Sequence, residues 1–150
     1  MIQLKDISLF EKLLKLLAGR IGQLMDYSSL ANDVGVDAKT IQSWISILEA
    51  SFILFKLPPH FENFGKRTIK APKYYFTEIG LLCFLLGIRK PEQIRRDPLV
   101  GNIVENLVVV ECLKARYNQG AMPDLYFSVT RMEMRSILCF RTAGSWCLLK

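Results

Sequence analysis

The stretch from Tyr27 to Leu81 constrains this chain more than any other. Its first half reads YSSLANDVGVDAKTIQSWISILEA. Apolar positions recur at helical spacing on both sides of Gly35, which predicts a short helix over 27–34 and a longer one over 38–50. Ser28 or Ser29 is the expected cap of the first, and Asp37 of the second. Ile41, Trp44, Ile45 and Leu48 form the apolar face of the second. A short helix, a glycine turn and a longer amphipathic helix make a helix-turn-helix. A strand over 52–57, the pair Pro58-Pro59, a basic loop and a strand over 74–76 follow, as in the wing of a winged helix.

The remaining pattern is mostly helical. Phe10, Leu13, Leu14 and Leu17 predict a helix that ends at Gly19 and Gly22. Residues 80–86 read as an apolar helix closed by Gly87, and 90–98 as a polar surface connection. The longest helical pattern covers 100–117, with Ile103, Leu107, Val110, Cys112 and Leu113 on its inner side. A strand begins at Asp124.

A hydrophobic share of 51% and a charged share of 23% suit a globular core. The net charge of +6 and pI near 9.3 favour acidic partners such as DNA. Half of that charge lies beyond Ser128, in Arg131, Arg135, Arg141 and Lys150 against Glu133. The N-terminus lacks the pattern of an export signal, and the apolar runs 79–88 and 103–110 are too short to span a bilayer. The four cysteines have no metal-site spacing. A cytoplasmic protein with reduced thiols and no membrane partner is expected.

These words carry a resemblance. The segments LLAGRIGQLMDYSSLANDVGVDAKTIQSWISILEASFIL, LPPHFENFGKRTIKAPKYYFTEIGL, GNIVENLVVVECLK and LYF, over roughly residues 10 to 127, resemble the C-terminal domain of unknown function of predicted bacterial and archaeal AAA-type ATPases. In that family an ATPase module comes first, and a fold similar to the PD-(D/E)XK nucleases follows the winged helix. The resemblance implies an α+β, mainly helical chain. Residues 1–89 would be the winged-helix domain and 90–127 the opening helix and first strand of a nuclease-like domain. Glu78 stands where the family has Asp.

The family would continue after LYF with F-R-x-x-x-G-x-E-V-D, whereas this chain reads SVTRMEMRSILCFRTAGSWCLLK. If each codon takes the last base of one triplet and the first two of the next, permitted codons allow 128–150 to be reread as FRDKNGNEVDLVLSDGRQLVPVE. A frameshift near Phe127 is therefore expected, with 128–150 as an out-of-frame tail. The apolar side of the 100–117 helix and an unpaired strand edge would then be exposed.

The chemistry follows from what is present. A P-loop needs G-x-x-x-x-G-K-[ST]. The nearest string has His60 for the first Gly and Arg67 for the hydroxyl residue. ATP and magnesium thus belong to the missing ATPase module, and no cofactor or catalytic residue is expected here. Glu105 or Glu111 matches, by resemblance, the helical carboxylate of the nuclease-like superfamily. The Asp and E-x-K that a metal site also needs are missing, and a lone carboxylate cannot build the site, so a solvated or salt-bridged residue is the leading expectation for either glutamate. His60 is the single histidine, which leaves no catalytic triad.

Candidate DNA contacts are Lys39, Thr40, Gln42 and Ser43 on the second helix of the helix-turn-helix, with Gln42 and Ser43 able to read base edges. Lys66, Arg67, Lys70 and Lys73 of the wing would add phosphate contacts. The basic wing could equally face the ATPase module. The leading expectation is a non-catalytic accessory region of an AAA-type ATP-binding protein; the alternative is a free-standing winged-helix DNA-binding regulator.

Overall fold

A computed structural model describes residues 4–60, 71–129, 136–142 and 145–149. The chain is α+β and mainly helical. Helices α1 (Leu4–Gly19), α2 (Tyr27–Val34) and α3 (Ala38–Ala50) precede an antiparallel pair, β1 (Leu54–Leu57) and β2 (Lys73–Phe76). Helices α4 (Ile79–Leu85), α5 (Pro91–Ile94) and α6 (Val100–Asn118) follow. Strands β3 (Leu125–Val129), β4 (Ser136–Thr142) and β5 (Ser145–Leu149) form an antiparallel sheet in that order.

Local chemistry sets the helix ends. Asp26, not Ser28 or Ser29, caps α2; its carboxylate accepts the N–H groups of Ser28 and Ser29 at 3.0 Å. An Asp two residues before Ser28 and three before Ser29 leaves both serine amides pointing at its side chain. Gly35 stops α2 with φ +94°, a left-handed conformation that favours glycine. Asp37 caps α3 as expected, accepting from Lys39 N and Thr40 N. The short helix α5 replaces the expected plain connection. Its Pro91 at the first turn and the Gln93 side chain, which accepts Lys90 N–H at 2.8 Å, supply start signals.

The hairpin β1–β2 is sandwiched. Leu54, Tyr74 and Phe76 join the core of α1–α4, with Leu13, Leu30, Ile41, Ile45 and Leu82. Leu57 and Tyr75 face the other way, against Val109 and Leu113 of α6 and Leu125 and Phe127 of β3, with Phe55 half-buried beside them. Strand side chains alternate between faces, so a strand covered on both faces buries every residue, as β2 does. Strand β1 starts at Leu54 rather than Phe52, because Phe52 takes φ +56° and cannot extend the ladder.

Strand β3 is bonded on both edges. Phe127 N donates to Pro58 O at 3.0 Å, His60 N donates to Phe127 O at 2.7 Å, and β4 pairs along the other side. The expected unpaired β3 edge is thus filled among the described residues. Helix α6 buries Ile103, Asn106, Val109, Val110 and Leu113. Leu107, expected inside, is 44% exposed, because it lies on the far side of α6 with Val104 and Val108. Among the described residues no helix is long and apolar enough to cross a membrane.

Candidate nucleic-acid interface

Helix α3 is held by its apolar face. Ile41, Ile45 and Leu48 are buried, and half-buried Trp44 meets Phe10 of α1 edge to face at 5.6 Å. The opposite face presents Lys39, Gln42, Ser43 and Ser46 to solvent. Thr40 is half-buried, and its hydroxyl donates to Asp37 Oδ2 at 2.6 Å. It therefore secures the cap rather than offering a free hydroxyl. That bond is the main reason the Asp37 carboxyl is held below the usual carboxylate range, and the amides of Thr40 and Lys39 add to it. Ser46 donates back to the Gln42 main-chain carbonyl at 2.9 Å. Two positions able to read base edges, Gln42 and Ser43, and one cation, Lys39, share the exposed face.

The wing residues divide. Lys66, Arg67 and Lys70 lie outside the described residues. Lys73 is not a surface phosphate contact. It is 6% exposed at the start of β2, with its Nζ 3.0 Å from Glu105 Oε1 and 5.5 Å from the centre of the Phe127 ring. Its position on the α6 side of a doubly covered strand removes it from solvent.

The two glutamates are not brought together. Glu105 accepts from both Lys73 Nζ and the Tyr75 hydroxyl, the latter at 2.6 Å. Glu111 is exposed and pairs with Lys114 at 3.5 Å. Six residues of helix separate them, which turns them roughly 120° apart about the axis. Among the described residues no group of three or more His, Cys, Asp or Glu is placed to hold a metal ion. Burial, followed by the charge of Glu105, pushes the Tyr75 phenol well above its ordinary value, so it stays a donor.

A clamp that sequence reading missed surrounds Glu105. Asn102, Glu105 and Asn106 occupy positions i, i+3 and i+4 of α6, hence one face. Asn102 Nδ2 donates to Ile21 O at 2.7 Å. Asn106, fully buried, accepts Phe76 N–H and donates to Phe76 O, both at 2.8 Å. Gly22, at φ +68°, lets this face approach: a Cβ there would lie 3.3 Å from Asn102 Nδ2. Three polar residues on a face that must pack, within Gly101-Asn102-Ile103-Val104-Glu105-Asn106, were the available signal.

Among the described residues, Cys83 and Cys112 belong to no metal-holding cluster. Cys83 and Cys112 are half-buried free thiols, each pushed up mainly by burial and then by a neighbouring carboxylate, Asp97 and Glu111 respectively.

Three curated bacterial relatives are similar to this chain. An uncharacterized protein of Mycobacterium tuberculosis (strain ATCC 25618 / H37Rv) is 34% identical over 124 residues, covering 77% of this chain and 28% of the relative. One from Mycobacterium bovis (strain ATCC BAA-935 / AF2122/97) matches to the same extent. One from Haemophilus influenzae (strain ATCC 51907 / DSM 11121 / KW20 / Rd) is 26% identical over 120 residues, covering 76% of this chain and 28% of the relative. The chain therefore spans under a third of the length of these relatives. No solved structure matches it. Residues 1–92, well over half of the chain, match the family described as Domain of unknown function (DUF8612), and the chain belongs to that family.

Proposed function

We propose that this chain is a non-catalytic accessory region of a longer AAA-type ATP-binding protein. The observation that carries the reading is coverage: the relatives extend far beyond the 28% that this chain spans, which leaves room for an ATPase module. The sequence resemblance supplies the identity of that module. The helix-turn-helix order of α2 and α3, followed by the β1–β2 pair, suits a winged-helix module. Residues 90–127, which include helix α6 and the start of β3, would then be the opening of the nuclease-like part, and 128–150 the out-of-frame tail. Glu105, bonded to Lys73 and Tyr75, acts here as a structural carboxylate.

Magnesium-dependent ATP turnover by the intact mycobacterial relative, with none by this chain, is the expected result. An intact relative that neither binds nor hydrolyses ATP would overturn the reading.

A second reading, binding of duplex DNA through α3, is favoured by the exposed face carrying Lys39, Gln42 and Ser43. Here Lys39 would hold a phosphate, and Gln42 and Ser43 would meet base edges in a major groove. Fluorescence anisotropy with a labelled mixed-sequence duplex tests it. Binding that weakens steeply with salt supports it, and no binding at low salt removes it.

A further inference from the structure

Unpaired cations crowd the chain between α4 and α6. Arg89, Lys90, Arg95 and Arg96 are all exposed, against one exposed acid, Glu92. Among the described residues none of the four cations pairs with a carboxylate, whereas Arg20, Lys73, Lys114 and Arg116 each do. Asp97, just beyond them, accepts the Leu99 N–H at 2.8 Å.

The main chain that carries these cations is held in place. Helix α4 ends in a Schellman turn, with Ile88 N donating to Cys83 O at 2.8 Å and Gly87 N to Phe84 O at 3.0 Å. Gly87 takes φ +75°, as that turn requires. Ile88 is buried in the core of α1–α4, and half-buried Ile94 packs against it. Between these anchors the Gln93 side chain accepts the N–H groups of Arg89 and Lys90 at 2.7 and 2.8 Å. Each anchor is followed directly by two cations, in Ile88-Arg89-Lys90 and Ile94-Arg95-Arg96. Like charges displayed on a fixed frame repel one another, and an anionic partner relieves that repulsion.

Phe84 adds a ring to this surface. It is 72% exposed, the one large exposed hydrophobic residue between 79 and 99 among the described residues. The Schellman turn brings Arg89 out beside the last turn of α4, which carries Phe84. The Asp97 charge acts on the Cys83 thiol, so the chain that follows Arg96 returns to the same turn.

We propose that this surface binds single-stranded nucleic acid, with phosphates on the four cations and one base stacked on Phe84. A duplex would use the cations but not the ring, because its bases are already stacked on one another. A membrane surface would also attract the cations, but one ring offers it little apolar area to insert. The surface includes no residue of α3, and the inference does not depend on an ATPase module.

Fluorescence anisotropy of the full chain with labelled oligo(dT) tests the proposal. Binding should weaken with salt at a log–log slope of about −3, from four phosphate contacts at about 0.7 each. Arg95→Gln with Arg96→Gln should reduce that slope by about 1.4, with an unchanged far-UV circular dichroism spectrum. Phe84→Ala should weaken binding at least about fivefold and leave the slope alone. Lys39→Ala should change neither. Absence of oligo(dT) binding at low salt would overturn the proposal, whether or not phosphatidylserine vesicles bind. So would full affinity in Phe84→Ala, a slope that the arginine pair does not alter, or a loss in Lys39→Ala as large as in the arginine pair.

Discussion

Asn106 closes the outer edge of β2 by holding both main-chain groups of one residue, Phe76. Its amide oxygen accepts the Phe76 N–H and its amide nitrogen donates to the Phe76 carbonyl, each at 2.8 Å. One side chain thereby does what a third strand would do, and it fixes α6 to the hairpin. Asn106→Leu leaves two buried main-chain groups unsatisfied, at about 1–3 kcal/mol each. The expected loss of roughly 3 kcal/mol would appear as a lower urea midpoint with a similar slope. A change under about 0.5 kcal/mol, the usual size for a surface substitution, would show that the clamp is dispensable.

Lys73 and Glu105 give an asymmetric prediction. Glu105→Ala strands a buried ammonium and also removes the acceptor of the Tyr75 hydroxyl. Breaking a fully buried pair costs about 3–5 kcal/mol. The Glu105 side chain is 38% exposed, so about 2 kcal/mol is expected after allowance for solvent. Lys73→Met and Glu105→Leu together with Tyr75→Phe should recover most of the loss, since neither a buried charge nor a buried hydroxyl is then left unpaired. Thermal unfolding of the wild type and the two variants checks this; a combined variant worse than Glu105→Ala would contradict it.

The hairpin shows where sequence reading succeeds and where it stops. Helices α2 and α3, the Gly35 break and the Asp37 cap were legible because each depends on residues within one or two turns of chain. Lys73 was misplaced because its surroundings come from far along the chain: Glu105 lies 32 residues away. Leu107 was misplaced because α6 is apolar on two sides, and periodicity alone does not say which side meets the hairpin. The α3 face was legible as exposed, but the use of Thr40 by the cap was not.

Acid should test the α3 cap. The Asp37 carboxyl sits below its ordinary value of 3.8 in the folded chain, chiefly through its bond from Thr40. Its contribution is therefore fully present above that value and is lost as pH falls through the lower folded value. Asp37→Asn keeps an acceptor but does not titrate. The stability advantage of the wild type over Asp37→Asn should shrink as pH drops below 3.8, followed by thermal melts. A constant gap across that range would contradict the assignment.

Strong alkali should act on the buried phenol of Tyr75. Its folded value is raised above the usual 10.0, so the contribution it makes is present below that pH and lost as pH climbs beyond it. Tyr75→Phe removes the titration. Wild type should lose stability relative to Tyr75→Phe above pH 10.0, read by spectroscopic titration alongside unfolding. Parallel curves for the two proteins would refute it.

On α3, Gln42→Ala and Lys39→Ala should separate by kind if duplex DNA is bound. Loss of a base contact costs about 1–3 kcal/mol and relaxes preference at one position, whereas loss of a phosphate contact weakens all sequences alike and lowers the salt slope by about one. Equal, sequence-independent effects from both variants, or no effect from either, would count against base reading by this face.

The central claim is that this chain is an accessory region of a longer ATP-binding protein, and nucleotide sequence tests it most directly. The DNA from well upstream of the Met1 codon to beyond that of Lys150 should be read in all three frames. The account predicts a P-loop upstream and, after the codon for Phe127, an E-V-D and an E-x-K in the shifted frame. Separate flanking genes with no P-loop and no shifted continuation would contradict it, and would leave the α3 face as the leading guide to function.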